Sequence, residues 1–337
     1  MNLPNQVARL FIALGATALL AAACAGDSGE DSAQGQLAGS IAISGSSTVE
    51  PVSSLVAEKF RAENPEVSIS VNGPGTTDGF ALFCEGETDI SDASRPIADE
   101  EVAACEDNGI KYTELKVAID GISVITSPQN EAITCLGFED LYALVGPESE
   151  GFDSWTDAED LAGELGSKHL PYPEAPLVIT APGEESGTWG SFIELALEDL
   201  GEERGIDDVA TRPDYQSSPN DNVIVQGIEG SPSSLGWVGF AFYEQTDGAA
   251  KAIAIEGPDG CVEPTRETIS DGTYPLSRDL YIYVNTDKAS SSEALSAFVD
   301  FYLSEEGMAS VNEVGYVDLP QEVVAESQDR WQMNSGA

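Results

Sequence analysis

Three observations predict an α/β fold with largely parallel sheets. First, β-branched runs alternate with stretches of helical apolar spacing. Second, a strand, a Gly/Ser/Thr turn and a helix recur as a unit near residues 45 and 183. Third, 337 residues, 41% of them hydrophobic, suffice for one large or two medium domains with real cores. Ser40–Ser44 (SIAIS) reads as a strand, and Pro51–Glu63 as a helix with Val52, Leu55, Val56 and Phe60 on one face. Val67–Val71 alternates as a strand, Asp78–Cys84 and Asp99–Asn108 read as short helices, and Lys116–Thr126 (KVAIDGISVIT) is a long β-branched strand. Leu177–Thr180 (LVIT) precedes a helix over Trp189–Leu200. Asp279–Asn285 (DLYIYVN) is a strand, and Glu293–Leu303, with Phe298 and Phe301, a helix. Gly146–Pro176, rich in Gly, Pro and acids, reads as an irregular surface excursion. The cluster Trp237, Phe240, Phe242 and Tyr243 reads as core, and the closing DRWQMNSGA carries no legible pattern.

The N-terminus points to export. Leu10–Ala23 is a 14-residue apolar run after a single base, Arg9, too short to span a bilayer as a helix but suited to a signal-peptide core. It ends in Leu20-Ala21-Ala22-Ala23-Cys24, which resembles a bacterial lipoprotein signal. Residues 1–23 would be removed and Cys24 lipidated, tethering the chain to the outer face of the cytoplasmic membrane; an ordinary secretory signal is the alternative. Residues 24–39 are small, polar and acidic and read as a flexible stalk, unable to bury enough apolar surface to fold.

Export makes the remaining cysteines, Cys84, Cys105, Cys135 and Cys261, candidates for two disulfides. Four cysteines allow three pairings. Cys84–Cys105 is favoured because it joins two neighbouring helices, leaving Cys135–Cys261. A zinc site is set aside, since no two cysteines are closely spaced and His169 is the sole histidine.

Charge excludes one partner class. Fourteen Lys and Arg against 60 Asp and Glu give a net charge of −46, which leaves no basic face for nucleic acid. Enzyme chemistry is also poorly supported: no G-x-S-x-G elbow or His/Cys metal spacing is present. His169, in Lys168-His169-Leu170-Pro171, reads as an exposed loop residue.

Four segments share a different chemistry: Gly45-Ser46-Ser47-Thr48, Gly73 to Gly79 (GPGTTDG), Ala93-Ser94-Arg95-Pro96, and Glu185-Ser186-Gly187-Thr188. The first, second and fourth stand where a strand ends and a helix begins. There unpaired N–H groups and the positive end of the helix dipole favour an anion, and Ser and Thr hydroxyls add donors. Each alone is an ordinary helix cap; together they suggest an oxyanion site.

GSSTVEP, GPGTTDGFALFCEGETDISDASRPI and APGEESGTWGSF, followed by SSPNDNVIVQGIEG, LGWVGFAFYE and YPLSRDLYIYVN, resemble in order the phosphate-binding proteins of ABC-type phosphate uptake systems, the PstS family. The resemblance implies a two-lobe, type II periplasmic-binding-protein-like fold with a two-strand hinge and a central cleft. Lobe I would comprise 40–117 and 280–337, lobe II 118–279, with crossings at Lys116–Gly121 and Ser277–Tyr283. It further implies a monomer without cofactor, metal or turnover, which binds inorganic phosphate and delivers it to permease subunits. The family's ligand turns match Ser47 and Thr48, Thr76 and Thr77, and Ser186, Gly187 and Thr188. Some members carry an arginine just before S-G-T. Here Thr180-Ala181-Pro182-Gly183 stand there, so Arg95, beside Ser94, is the expected guanidinium, with Arg212 and Arg278 as alternatives. Asp92 and Ser94 compete for the family's proton-accepting aspartate position, and Glu185 is the alternative acceptor. Such a carboxylate accepts a hydrogen bond from protonated phosphate and repels sulfate. A binding protein for sulfate or molybdate, or an exported hydrolase, is the rival reading.

Overall fold

The computed structural model describes residues 37–184 and 186–334. The expected signal peptide, Cys24, nearly all of the stalk, and Glu185 lie outside the described residues. Gly39, assigned to the stalk, already begins the first strand.

Parallel strands joined by helices open the fold. β1 (Gly39–Gly45) pairs with β2 (Val67–Asn72) through α1 (Glu50–Glu63), which has a proline in its first turn and buries Val52, Val56 and Phe60. α2 (Thr76–Cys84) leads to β3 (Ile90–Ala93) on the other side of β1, and α3 (Asp99–Asp107) follows. All four residues of β3 are buried, as a central strand covered on both faces requires.

The long strand β4 (Tyr112–Thr126) changes character along its length. Its first half alternates buried with half-buried residues, and from Val117 onward it is buried throughout. Beyond it come β5 (Cys135–Leu136), α4 (Phe138–Val145), α5 (Glu159–Leu165) and β6 (Val178–Ala181). α6 (Gly187–Phe192) runs through a π-helical turn, Ile193–Leu197, into α7 (Glu198–Glu203). β7 (Gln216–Ser217), α8 (Asp221–Glu229), β8 (Ser234–Gly239), α9 (Phe240–Tyr243), β9 (Lys251–Ala252), β10 (Ala254–Gly257), β11 (Gly260–Val262) and α10 (Arg266–Ser270) follow. β12 (Ser277–Asn285) brings the chain back to β4, and α11 (Thr286–Ser291), α12 (Glu293–Tyr302), α13 (Glu305–Glu313) and α14 (Gln321–Asn334) complete the described residues.

The main sheet has the order β2-β1-β3-β12-β4-β8-β6-β7. β4 is shared: residues 112–121 pair antiparallel with β12, and Ile122–Ile125 pair with β8. One apolar core gathers Ile41, Val56, Leu115, Ile282 and Phe298; another gathers Ile122, Leu141, Trp155, Phe192 and Trp237. A third segment also passes between them. Val317 exchanges both backbone hydrogen bonds with Ile119 (2.9 and 3.0 Å), and Val317 and Leu319 pack in the second core. α14 then returns to the first core, burying Trp331.

Two expectations need correction. Gly146–Pro176 is not an irregular excursion: it contains 3-10 turns at Pro147–Ser149 and Trp155–Ala158 as well as α5, and it buries Trp155, Ala158, Ala162 and Tyr172. Its Gly and Pro residues mark turns between short elements, whose apolar anchors are too far apart to show a period. His169 is half-buried rather than exposed, with its ring nitrogen 3.1 Å from Glu256 Oε2. Both expected disulfides form, Cys84–Cys105 between α2 and α3, and Cys135–Cys261 between β5 and β11. Trp237 and Phe240 are core residues, with Phe242 and Tyr243 packed at the margin.

Candidate functional site

The turn that opens α2 and the Ser94-Arg95 segment face a cleft of about 570 Å3. Pro74 to Asp78, Ser94 and Arg95 line it on one side, Glu194, Leu195 and Glu198 on the other, with Arg278 of β12 between. On the first side, Ser46 N–H donates to the Asp92 carbonyl (2.8 Å) and Thr48 N–H to Ser46 Oγ (3.1 Å), fixing the turn after β1. Thr48 is buried and Ser47 is exposed. Gly45 stands at φ 153° with its α-carbon against the Asp92 carbonyl, where no side chain fits. Thr76 Oγ1 lies 3.1 Å from Ser94 Oγ and accepts from Ser94 N–H (3.2 Å). The first N–H groups of α2, at Thr76, Thr77 and Asp78, have no intrahelical partner.

Arg278 joins the two sides. Its Nη2 donates to Thr48 Oγ1 (3.0 Å) and to Ser191 Oγ (3.3 Å), and its Nη1 to Glu194. Its Nε lies 3.6 Å from Asp120 Oδ2, and neither atom has a hydrogen bond. Asp120 is buried, which pushes its carboxyl above the usual range while Arg278 pulls it down. Tyr316, from the third crossing, is held well above the ordinary phenol range by burial, with Asp120 also raising it. Its hydroxyl would stand 3.9 Å from a Cβ on Gly187.

The expected residues are brought together unevenly. Thr48, Thr76, Thr77, Ser94 and Arg95 gather at the cleft. Arg95 forms a two-pronged pair with Glu101 (both 2.8 Å) and also donates to Thr77 Oγ1 (3.0 Å), so its charge is already taken. Arg212 is buried elsewhere on Asp214, whose carboxyl it holds at about 2. Arg278, an alternative in the sequence, is the arginine that bridges the cleft. Ser186 stands just before α6 without a side-chain capping bond, and Gly187 and Thr188 open the helix, but the contact across to Thr48 is made by Ser191 (3.3 Å). Ser191, Glu194 and Glu198 follow Thr188 at intervals of three and four, the spacing that keeps residues on one helix face. That spacing, and a lone acid at Asp120 within a β-branched run, were the available signals.

Asp92 does not line the cleft. It is fully buried beneath the Ser46–Thr48 turn, where its Oδ1 accepts from Ser53 Oγ (2.9 Å) and its Oδ2 has no partner. Burial raises its pKa to about 7, against the lowering effect of Ser53 and with a smaller contribution from the charge of Glu50.

The PBP superfamily domain matches residues 30–306. The chain is 40% identical over 289 residues to the protein SphX of Synechocystis, covering 85% of this chain and 80% of that protein. It is 33% identical over 319 residues to the phosphate-binding protein PstS of Staphylococcus saprophyticus, covering 94% and 91%. This chain belongs to the PBP superfamily, in the family of SphX and PstS. Among solved structures, one described as a possible phosphate binding protein from Planctomyces limnophilus superposes with a TM-score of 0.80 at 34% identity, covering 88% of this chain and 99% of that one. The PBP fold is type II, with β4 and β12 carrying the chain between its lobes, and the family is one of binding proteins rather than enzymes. Among the described residues, no helix is long and apolar enough to cross a membrane.

Proposed function

We propose that this chain is an extracytoplasmic lipoprotein that captures inorganic phosphate between its two lobes and delivers it to the permease subunits of an ABC-type transporter. The observation that carries the reading is Arg278, whose guanidinium reaches Thr48 of one side and Ser191 of the other inside a cleft rich in hydroxyl donors. A tetrahedral oxyanion takes the place of these internal contacts: it accepts from Arg278, from the hydroxyls of Thr48, Thr76 and Ser94, and from the open N–H groups at the starts of α2 and of α6, at Gly187 and Thr188. Fixed dipoles in a closing, water-poor cleft serve the anion better than the global charge opposes it. Relatives named for phosphate binding, at 33% identity and 91% coverage of their length, support phosphate over other oxyanions. Cys24 supplies the lipid anchor, and the small, polar residues between it and β1 the tether.

Glu194 and Glu198 line the cleft and Asp120 lies behind Arg278, so a ligand carrying a proton meets an acceptor while fully ionised sulfate meets repulsion. Isothermal titration with phosphate, repeated with sulfate as competitor from pH 5 to pH 8, tests the reading (pH values about these, to span the second ionisation of phosphate). Phosphate binding at one site per chain that sulfate fails to displace supports it. Equal competition by sulfate at each pH would replace phosphate with oxyanions in general, and no binding of either would remove the site.

A further inference from the structure

Away from the cleft, the sole histidine meets the second disulfide. In the small sheet β5-β10-β11, the register sets Ala254 beside Cys135 and Glu256 beside Cys261. Side chains alternate along a strand, so Cys135, Glu256 and Cys261 project from the same face. The loop after α5 lays His169 over that face, its own N–H donating to Ser167 Oγ (3.1 Å). His169 Nε2 lies 3.1 Å from Glu256 Oε2 and 4.0 Å from Cys135 Sγ, and it and the two sulfurs are all within 4.8 Å of one another. These residues are 126 positions apart at the extremes, so sequence spacing conceals a cluster that the sheet assembles.

We infer that reduction of the Cys135–Cys261 disulfide turns this cluster into a zinc site, with Cys135, Cys261, His169 and Glu256 as its four ligands. As a disulfide the two sulfurs are poor ligands. A dithiol reductant supplies two electrons and two protons, the S–S bond breaks to give two thiols, and the reductant leaves as its own cyclic disulfide. Zn2+ then displaces the two thiol protons to solvent and forms two Zn–S bonds, and neutral Nε2 and the Glu256 carboxylate complete a tetrahedron. Bonds of about 2.3 Å to sulfur and about 2.0 Å to nitrogen set ligand atoms roughly 3.5 Å apart, so the imidazole and the Glu256 carboxylate move in toward the sulfurs while the sulfurs part. Two thiolates, one carboxylate and the dication leave a single negative charge, and Lys168 Nζ, 2.8 Å from Glu256 Oε1, balances it. Cys261 is exposed and Cys135 half-buried, so reductant and metal have access. Cys84–Cys105 is buried and has no histidine near it, because the only one is here.

The test uses the full chain, reduced with a dithiol that is then removed under anaerobic conditions. It is titrated first with Co2+ as a spectroscopic probe and then with Zn2+ against a chromophoric chelator. The expected result is one metal per chain with a thiolate-to-cobalt charge-transfer band, and zinc binding about 100-fold tighter than in the oxidised chain. His169→Ala and Glu256→Gln each weaken it by about tenfold or more, and the Cys84→Ser/Cys105→Ser variant retains it. Three results overturn the inference: no uptake by the reduced chain, equal uptake by the oxidised chain, or uptake that persists in Cys135→Ser/Cys261→Ser.

Discussion

Asp92→Asn isolates the cost of a buried carboxylate. Asp92 is fully buried at the end of β3, with one oxygen on Ser53 and the other without a partner, and its pKa rises from 3.8 to about 7. Between those values the folded chain holds a proton that the unfolded chain has lost, so stability falls as pH rises; below about 4 there is no effect, and above 7 the penalty is complete. At about 1.4 kcal/mol per pH unit, the ionised group costs the fold about 4 kcal/mol. Asparagine keeps the oxygen that accepts from Ser53 and resembles the neutral acid in shape and charge. The variant should therefore match the wild type near pH 4, gain steadily toward pH 7, and hold its advantage above that. Urea unfolding in phosphate-free buffer at a series of pH values measures this, because other titrating groups cancel in the difference. A difference that stays constant with pH, or that is largest on the acid side, would refute the reasoning.

Arg278→Ala should weaken phosphate binding by about 10- to 100-fold, as loss of a charged hydrogen-bond donor in a closed site does. Arg95→Ala should weaken it much less, since Glu101 already takes that guanidinium; calorimetry on both distinguishes them, and the reverse order would move the site. Thr188→Ala should reduce affinity without changing the thermal midpoint, measured by titration and by circular dichroism. The net charge of −46 should make the phosphate on-rate rise with salt in stopped-flow experiments. Gly79→Ala should destabilise the fold by about 1–3 kcal/mol and weaken binding together, because a Cβ there would collide with the backbone of Gly45 and push α2 off the turn after β1.

The legible parts of the fold were those written in local patterns. The helix at Pro51–Glu63 needed only a 3.6-residue stripe and a first-turn proline, and α1 spans Glu50–Glu63. The strand at Lys116–Thr126 needed only β-branched residues, though β4 begins earlier, at Tyr112, where half-buried polar residues break the run. The C-terminal helix escaped notice because its apolar face is nearly reduced to Trp331. At the site, the hydroxyl turns were readable because helix N-termini call for Ser, Thr and Gly. Arg278 stood only as an alternative to Arg95, and Ser191 was not singled out, since nothing beside either residue in the chain signals an anion.

The sequence by itself determined the α/β class and the set of anion-suited turns, favoured one of three cysteine pairings, and raised the expectations of export, of a lipid tether and of a partner other than nucleic acid. Each depends on composition or on residues a few positions apart, where backbone geometry couples sequence directly to structure. Only the tertiary structure decided which arginine bridges the cleft, that Asp92 is sealed beneath a turn, and that His169 lies against Cys135 and Cys261. Arg278 and Thr48 are 230 residues apart. Their meeting depends on three chain crossings and the register of β4 against β12, which the packing of two whole cores sets.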